Sequence, residues 1–190
     1  MPNLYIISGC NGAGKTTASY TILPEILNCR EFVNADNIAA GLSPFNPESV
    51  AVAAGRTMLN RIQILVAEQA DFAVETTLST RSYVSLIKQA HLLGYKVSLL
   101  YFWLSSPEVA IERVAKRVSK GGHDIPSETI ERRYYRGISN LYKLYMPICE
   151  EWALVNNMDL VPKLIAKSDR FGKTIFNNEL WESIKKEGHG

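Results

Sequence analysis

Residues 9 to 17, Gly9-Cys10-Asn11-Gly12-Ala13-Gly14-Lys15-Thr16-Thr17, fill every position of the pattern G-x-x-x-x-G-K-[ST]. They follow a short apolar run, Leu4-Tyr5-Ile6-Ile7. A strand that ends in such a loop and opens a helix aims successive backbone N–H groups at one point. Lys15 adds a mobile positive charge, and the Thr16 hydroxyl is placed to ligate Mg²⁺. The loop therefore reads as a socket for the phosphates of ATP or GTP. Gly9, Asn11, Gly12, Ala13, Gly14, Lys15, Thr16 and Thr17 are its candidate contacts. Cys10 has no resolving cysteine near it in sequence, so it is read as a residue that fits a tight corner.

A loop of this kind demands an α/β fold, and strand and helix signals do alternate along the chain. Candidate strands lie at 4–8, 32–35, 72–76, 96–104 and 153–156, with a last short one at 164–166. Helical patterns fill the gaps at 16–27, 47–69, 82–93, 107–120 and 127–144, and a final helix is expected near 178–186. The fold expected is one domain over residues 1–190, a parallel five-stranded sheet with helices on both faces. No repeat or linker interrupts it. The formal charge of +2 gives no reason to expect nucleic acid as a partner. Three cysteines without metal-ligand spacing fit a reducing cytoplasm. The first strand begins at once, so no secretory leader is expected. The apolar stretch 97–104 is too short to enter a membrane as a span.

Ligands of open α/β sheets lie beyond the carboxyl ends of the strands. Asp36 follows the second strand there. It reads as a base for a substrate hydroxyl or a holder of Mg²⁺ through water, against the alternative of a helix cap at 38–40. Glu75 ends the third strand. It reads as an acceptor of hydrogen bonds from substrate hydroxyls in preference to a metal-linked carboxylate, because the apolar run before it is short. Thr77, Ser79 and Arg81 are expected on the same rim, against ordinary turn chemistry. The loop after the fifth strand, around Asn156-Asn157-Met158, is where a base would pack, and nothing in it selects adenine over guanine.

The segment 107–143 carries eight Lys or Arg against five acids, a net charge of +3. Arg113 and Arg117 share one helix face, Arg132 and Arg136 another, and Gly121-Gly122 lies between. Two such helices around a glycine turn read as a lid that closes on triphosphate, with at least one of Arg113 and Arg117 reaching phosphate. A solvated charged face is the alternative. His123, in the turn, is a candidate contact to phosphate or substrate.

These pieces together resemble the zeta-toxin family of P-loop kinases. The matching segments are 9–17, Phe32-Val33-Asn34-Ala35-Asp36, Glu75-Thr76-Thr77-Leu78-Ser79, Ile111 to Val118, Gly121 to Pro126 and Ile130 to Tyr134. The resemblance implies a nucleoside-monophosphate-kinase-like P-loop NTPase core with a helical lid near 107–143. It implies phosphorylation of a nucleotide-sugar hydroxyl, typically the 3′-hydroxyl of UDP-N-acetylglucosamine. By analogy Asp36 is the base and Lys15 and Arg113 hold the transferring phosphate. Thr16 then holds Mg²⁺, and Glu75 with Thr77 binds the sugar nucleotide. Arg117, Arg132 and Arg133 compete to be the second lid clamp. Some family members are toxins held by a small antitoxin, which is the protein partner the resemblance implies. Two other readings stay open: the same kinase with a nucleotide, sugar or polyol acceptor, and a nucleotide switch without one.

Overall fold

The computed structural model describes residues 1–122 and 124–189. His123 lies outside the described residues. The seven-stranded sheet has the order β2-β3-β1-β4-β5-β6-β7. β1 (Asn3–Gly9), β2 (Glu31–Val33), β3 (Phe72–Thr76), β4 (Lys96–Trp103) and β5 (Glu151–Asn156) run parallel. β6 (Lys163–Asp169) and β7 (Gly172–Ile175) add an antiparallel hairpin at one edge. The parallel part is thus the five strands expected. The correction is the hairpin, of which sequence supplied only a fragment at 164–166. Its turn is fixed locally, with the Asp169 carboxylate accepting from the Phe171 N–H at 2.9 Å.

Parallel strands buried on both faces need continuous apolar runs. Leu4, Ile6 and Ile7 of β1, Phe72, Ala73 and Val74 of β3, and Val97, Leu99 and Phe102 of β4 supply them, all essentially without exposure. The helices are α1 (Lys15–Thr21), α2 (Ala35–Leu42), α3 (Ala51–Ala67), α4 (Ser82–Leu92), α5 (Pro107–Val118), α6 (Ser127–Asn140) and α7 (Asn178–His189). α1 runs on into a π-helical turn at Ile22–Ile26, and α6 into another at Leu141–Tyr145. No described helix is long and apolar enough to cross a membrane.

The α6 half of the expected lid is fastened to the core. Its Tyr134 hydroxyl donates to the Leu104 carbonyl at 2.9 Å, and Asn140 donates to the Leu78 carbonyl at 2.7 Å. Gly137 lets the helix approach β3's exit loop: a Cβ there would stand 2.7 Å from the Thr77 carbonyl oxygen. Alanine in a helix normally gains about 1 kcal/mol over glycine. Here the opposing atom is backbone and cannot rotate away, so overpacking of about 1–3 kcal/mol wins. Gly137→Ala is expected to lower the urea midpoint without changing the slope of the transition.

Candidate active site

Three strand ends meet at the phosphate loop. The order β2-β3-β1 brings the exits of the second and third strands beside the first. β1 and β3 pair with Ile7 opposite Glu75, so that carboxylate emerges next to the loop. Gly9 leaves β1 with φ +140, and a Cβ there would collide with the Phe102 carbonyl oxygen of β4. Only glycine admits that approach. Cys10 is buried in the bend, and burial pushes its thiol up to about 11 against the pull of Lys15. It is an inert packing residue, not a thiolate.

Lys15 is 7% exposed and donates to the Cys10 carbonyl at 3.0 Å. Its ammonium stands 3.7 Å from Glu75 Oε1. The other carboxylate oxygen, Oε2, accepts from the Thr16 hydroxyl and from the Asn34 amide, both at 2.8 Å. Glu75 therefore sits against the Thr16 side of the loop. Strand order places Glu75 in bonding contact with the loop residues Lys15 and Thr16, an adjacency the short apolar run before it does not reveal. Thr77 and Arg81 do not join it. The Thr77 hydroxyl is bonded to that of Ser79 at 2.9 Å, and Arg81 is an exposed residue preceding α4. Neither is among the residues that line the phosphate cleft.

Asn34 is the residue sequence reasoning passed over. It is 4% exposed. Its amide nitrogen donates to Glu75, and its amide oxygen accepts from the backbone N–H groups of Asp36 and Asn37 at 2.8 and 3.2 Å. Asn34, not Asp36, caps α2. The Asp36 side chain is left exposed in the first turn of the helix, on the wall of the phosphate cleft. Losing an asparagine cap costs about 1–2 kcal/mol. Asn34→Ala is expected to lose that stability and to loosen both Glu75 and Asp36. Asn34→Ser keeps a capping oxygen but no amide donor, so it should recover the urea midpoint and not the affinity for Mg²⁺–nucleotide, measured by titration calorimetry.

The cleft is bounded by the phosphate loop and by the face of α5, with Lys15, Arg113, Lys116, Arg117 and Lys120 opposing Asp36 and Glu75. Its volume is about 580 Å³. A net positive wall of this kind suits a triphosphate. Arg113, however, is turned along the cleft. Its guanidinium donates to the carbonyls of Asn157 and Met158 at 2.9 and 3.0 Å. Asn157 in turn donates to the Ala13 carbonyl at 2.7 Å, which ties the loop after β5 to the phosphate loop. Arg113 thus braces the loop where a base would pack. Of the competitors for a second clamp, Arg117 lines the cleft beneath Gly122. Arg133 reaches the Asn11 side chain at 3.3 Å, while Arg132 is exposed and bonded to Thr129.

A second cavity of about 290 Å³ adjoins the first between α2, α3 and the start of α6, and Asp36 lines both. A carboxylate on the partition between a cationic cleft and a second pocket is the arrangement a transfer reaction needs.

The family model described as zeta toxin matches residues 1–147. The chain belongs to the zeta-toxin family. An uncharacterized protein of Haemophilus influenzae is 29% identical over 126 residues, which is 66% of this chain and 88% of that protein. Among solved structures, a chain of the AvrRxo1-ORF1:AvrRxo1-ORF2 complex with sulphate ions aligns over 97% of this zeta-toxin family chain, with a TM-score of 0.77 and 19% identity. The present chain spans 63% of that chain's length. A structure from the PezAT toxin–antitoxin system of Streptococcus pneumoniae aligns over 98% of this chain and 86% of its own, with a TM-score of 0.66 and 16% identity. At those identities the likeness is one of fold, which is the α/β architecture expected for the family.

Proposed function

We propose that the protein is an ATP-dependent kinase that transfers the γ-phosphoryl group to a hydroxyl of a small molecule. The observation that carries this reading is the position of Asp36 on the shared wall of the cationic cleft and the second cavity. In the step proposed, the acceptor oxygen forms a bond to the γ-phosphorus and the bond to the β–γ bridging oxygen breaks. The electron pair of that bond leaves with ADP, and the hydroxyl proton passes to the Asp36 carboxylate. Lys15 and Arg117 balance the charge spread over the moving group. Arg113 positions the loop after β5 and with it the nucleotide base. A switch without an acceptor has no use for the second cavity.

The Thr16 hydroxyl and the Glu75 carboxylate, which share a hydrogen bond, form a hard oxygen set that suits Mg²⁺. Bound with nucleotide, the ion would neutralise phosphate charge. ATP is the nucleotide proposed, with support from the same complex solved with ATP, which has a TM-score of 0.74 to this chain. The family resemblance points to UDP-N-acetylglucosamine as an acceptor, to a toxic activity and to a small antitoxin partner. A reducing cytoplasm fits the free cysteines Cys10, Cys29 and Cys149.

The test is ADP release measured with and without a pool of small alcohols and sugar nucleotides. Acceptor-dependent release supports the kinase. Release that no acceptor alters supports a switch. Growth of cells expressing wild type beside Lys15→Met separates toxin from housekeeping enzyme, and equal growth of the two argues against a toxin.

A further inference from the structure

Arg133 stands at the seam between the two cavities. It lines the second cavity together with Asp36, and its guanidinium donates to the side-chain oxygen of Asn11, in the phosphate loop, at 3.3 Å. Asn11 is buried and lines the phosphate cleft. Helix packing sets this position. Ile130, Tyr134 and Gly137 belong to the buried stripe of α6, and the Tyr134 hydroxyl is bonded to the Leu104 carbonyl. Arg133 is carried on the flank of that stripe, part-buried. Arg117, by contrast, is carried by α5, about one turn before Gly121.

That guanidinium holds less than it can. Among the described residues its side-chain bond goes to a neutral amide oxygen, at a long distance, and no carboxylate pairs with it. Most of its donor fork and its whole charge are therefore available to an anion. Other basic groups of the site are committed: Arg113 to the carbonyls of Asn157 and Met158, and Lys15 to the Cys10 carbonyl and Glu75. During transfer, negative charge spreads over the three equatorial oxygens of the moving phosphoryl group, which lies between nucleotide and acceptor. A planar fork at the seam can hold one of those oxygens, and an arginine supplied there by the same chain is a known way to stabilise such a transition state. Resting on the kinase reading above, we propose that Arg133 is a catalytic residue: it exchanges the Asn11 oxygen for an equatorial oxygen of the moving phosphoryl group and steadies the charge from the acceptor side. The bonds made and broken are unchanged: acceptor oxygen to γ-phosphorus, electron pair to ADP, proton to Asp36.

The test uses the full chain with ATP, Mg²⁺ and the acceptor drawn from the pool of small alcohols and sugar nucleotides. Arg133→Ala is expected to lower kcat for acceptor-dependent ADP release by roughly 10²–10³-fold. The KM for ATP and the urea midpoint should stay close to wild type. Millimolar guanidinium, which fits the space the side chain leaves, should restore part of the rate of Arg133→Ala and none of the rate of Lys15→Met. Arg133→Lys keeps the charge without the fork, so its kcat should fall between those of wild type and Arg133→Ala. A rise in the acceptor KM alone, with full kcat at saturating acceptor, overturns the catalytic role in favour of acceptor binding. A lowered urea midpoint without rescue by guanidinium overturns it in favour of a structural role. Wild-type turnover by Arg133→Ala overturns it and leaves the kinase standing. ADP release by wild type that no acceptor stimulates overturns the kinase and this role of Arg133 together.

Discussion

Asp36→Asn is expected to lower kcat for phosphoryl transfer by roughly 10²–10⁴-fold, the range over which a positioned general base contributes. Its effect on ATP affinity should be small. The carboxylate lines the phosphate cleft, but no hydrogen bond or ion pair joins its side chain to the phosphate loop among the described residues. Stability should also hold. The cap of α2 is the Asn34 side chain, which accepts from the Asp36 backbone N–H, and that bond survives the substitution. The signature is therefore a loss confined to the catalytic step, read from single-turnover transfer beside nucleotide titration. Loss of ATP binding in step with kcat would place Asp36 in the metal or nucleotide site instead.

Lys15→Met should be as damaging to transfer, by roughly 10²–10³-fold, through loss of a charge aimed at the moving phosphoryl group. The physical difference from Asp36 lies in burial. Lys15 is 7% exposed and stands 3.7 Å from the Glu75 carboxylate. Methionine keeps the apolar stem but leaves Glu75 with the neutral donors Thr16 and Asn34 alone. An uncompensated carboxylate only 10% exposed is costly, so this variant should weaken nucleotide affinity and stability as well as rate. The pair of variants thus separates base from clamp: one loses the step alone, the other loses the step and the ground state. A thermal melt with and without ATP reads the difference directly.

The phosphate loop was legible in sequence because its chemistry is local. Consecutive backbone N–H groups, a lysine and a hydroxyl act from one turn, so their spacing survives in the letters. The central parallel strands were legible for the same reason, β1 and β3 each holding a short buried run. What sequence did not carry was adjacency. That Glu75 bonds to the phosphate loop follows only from β3 lying against β1, with Ile7 opposite it. Asn34 gives a weak signal, one polar residue at a strand end, until its two bonding directions are seen to join α2 to Glu75. Arg113 sits on the helix face expected, yet its partners are carbonyls some forty residues away in the chain. The strand β7 was missed because its four residues are all exposed and leave no apolar period to read. Asp169 to Gly172, which matches a nucleotide-switch motif by letter only, is the turn that enters that strand.

The decisive measurement follows the phosphorus. Wild type and Asp36→Asn are incubated with Mg²⁺, a mixture of unphosphorylated sugars and nucleotide sugars, and ATP labelled with heavy oxygen in its γ-phosphate. Mass spectrometry then locates the label. A labelled phosphate ester on one alcohol with wild type, and on none with the variant, is the predicted result. Label recovered only in free phosphate, at a rate the mixture does not change, would contradict a transferase built around Asp36.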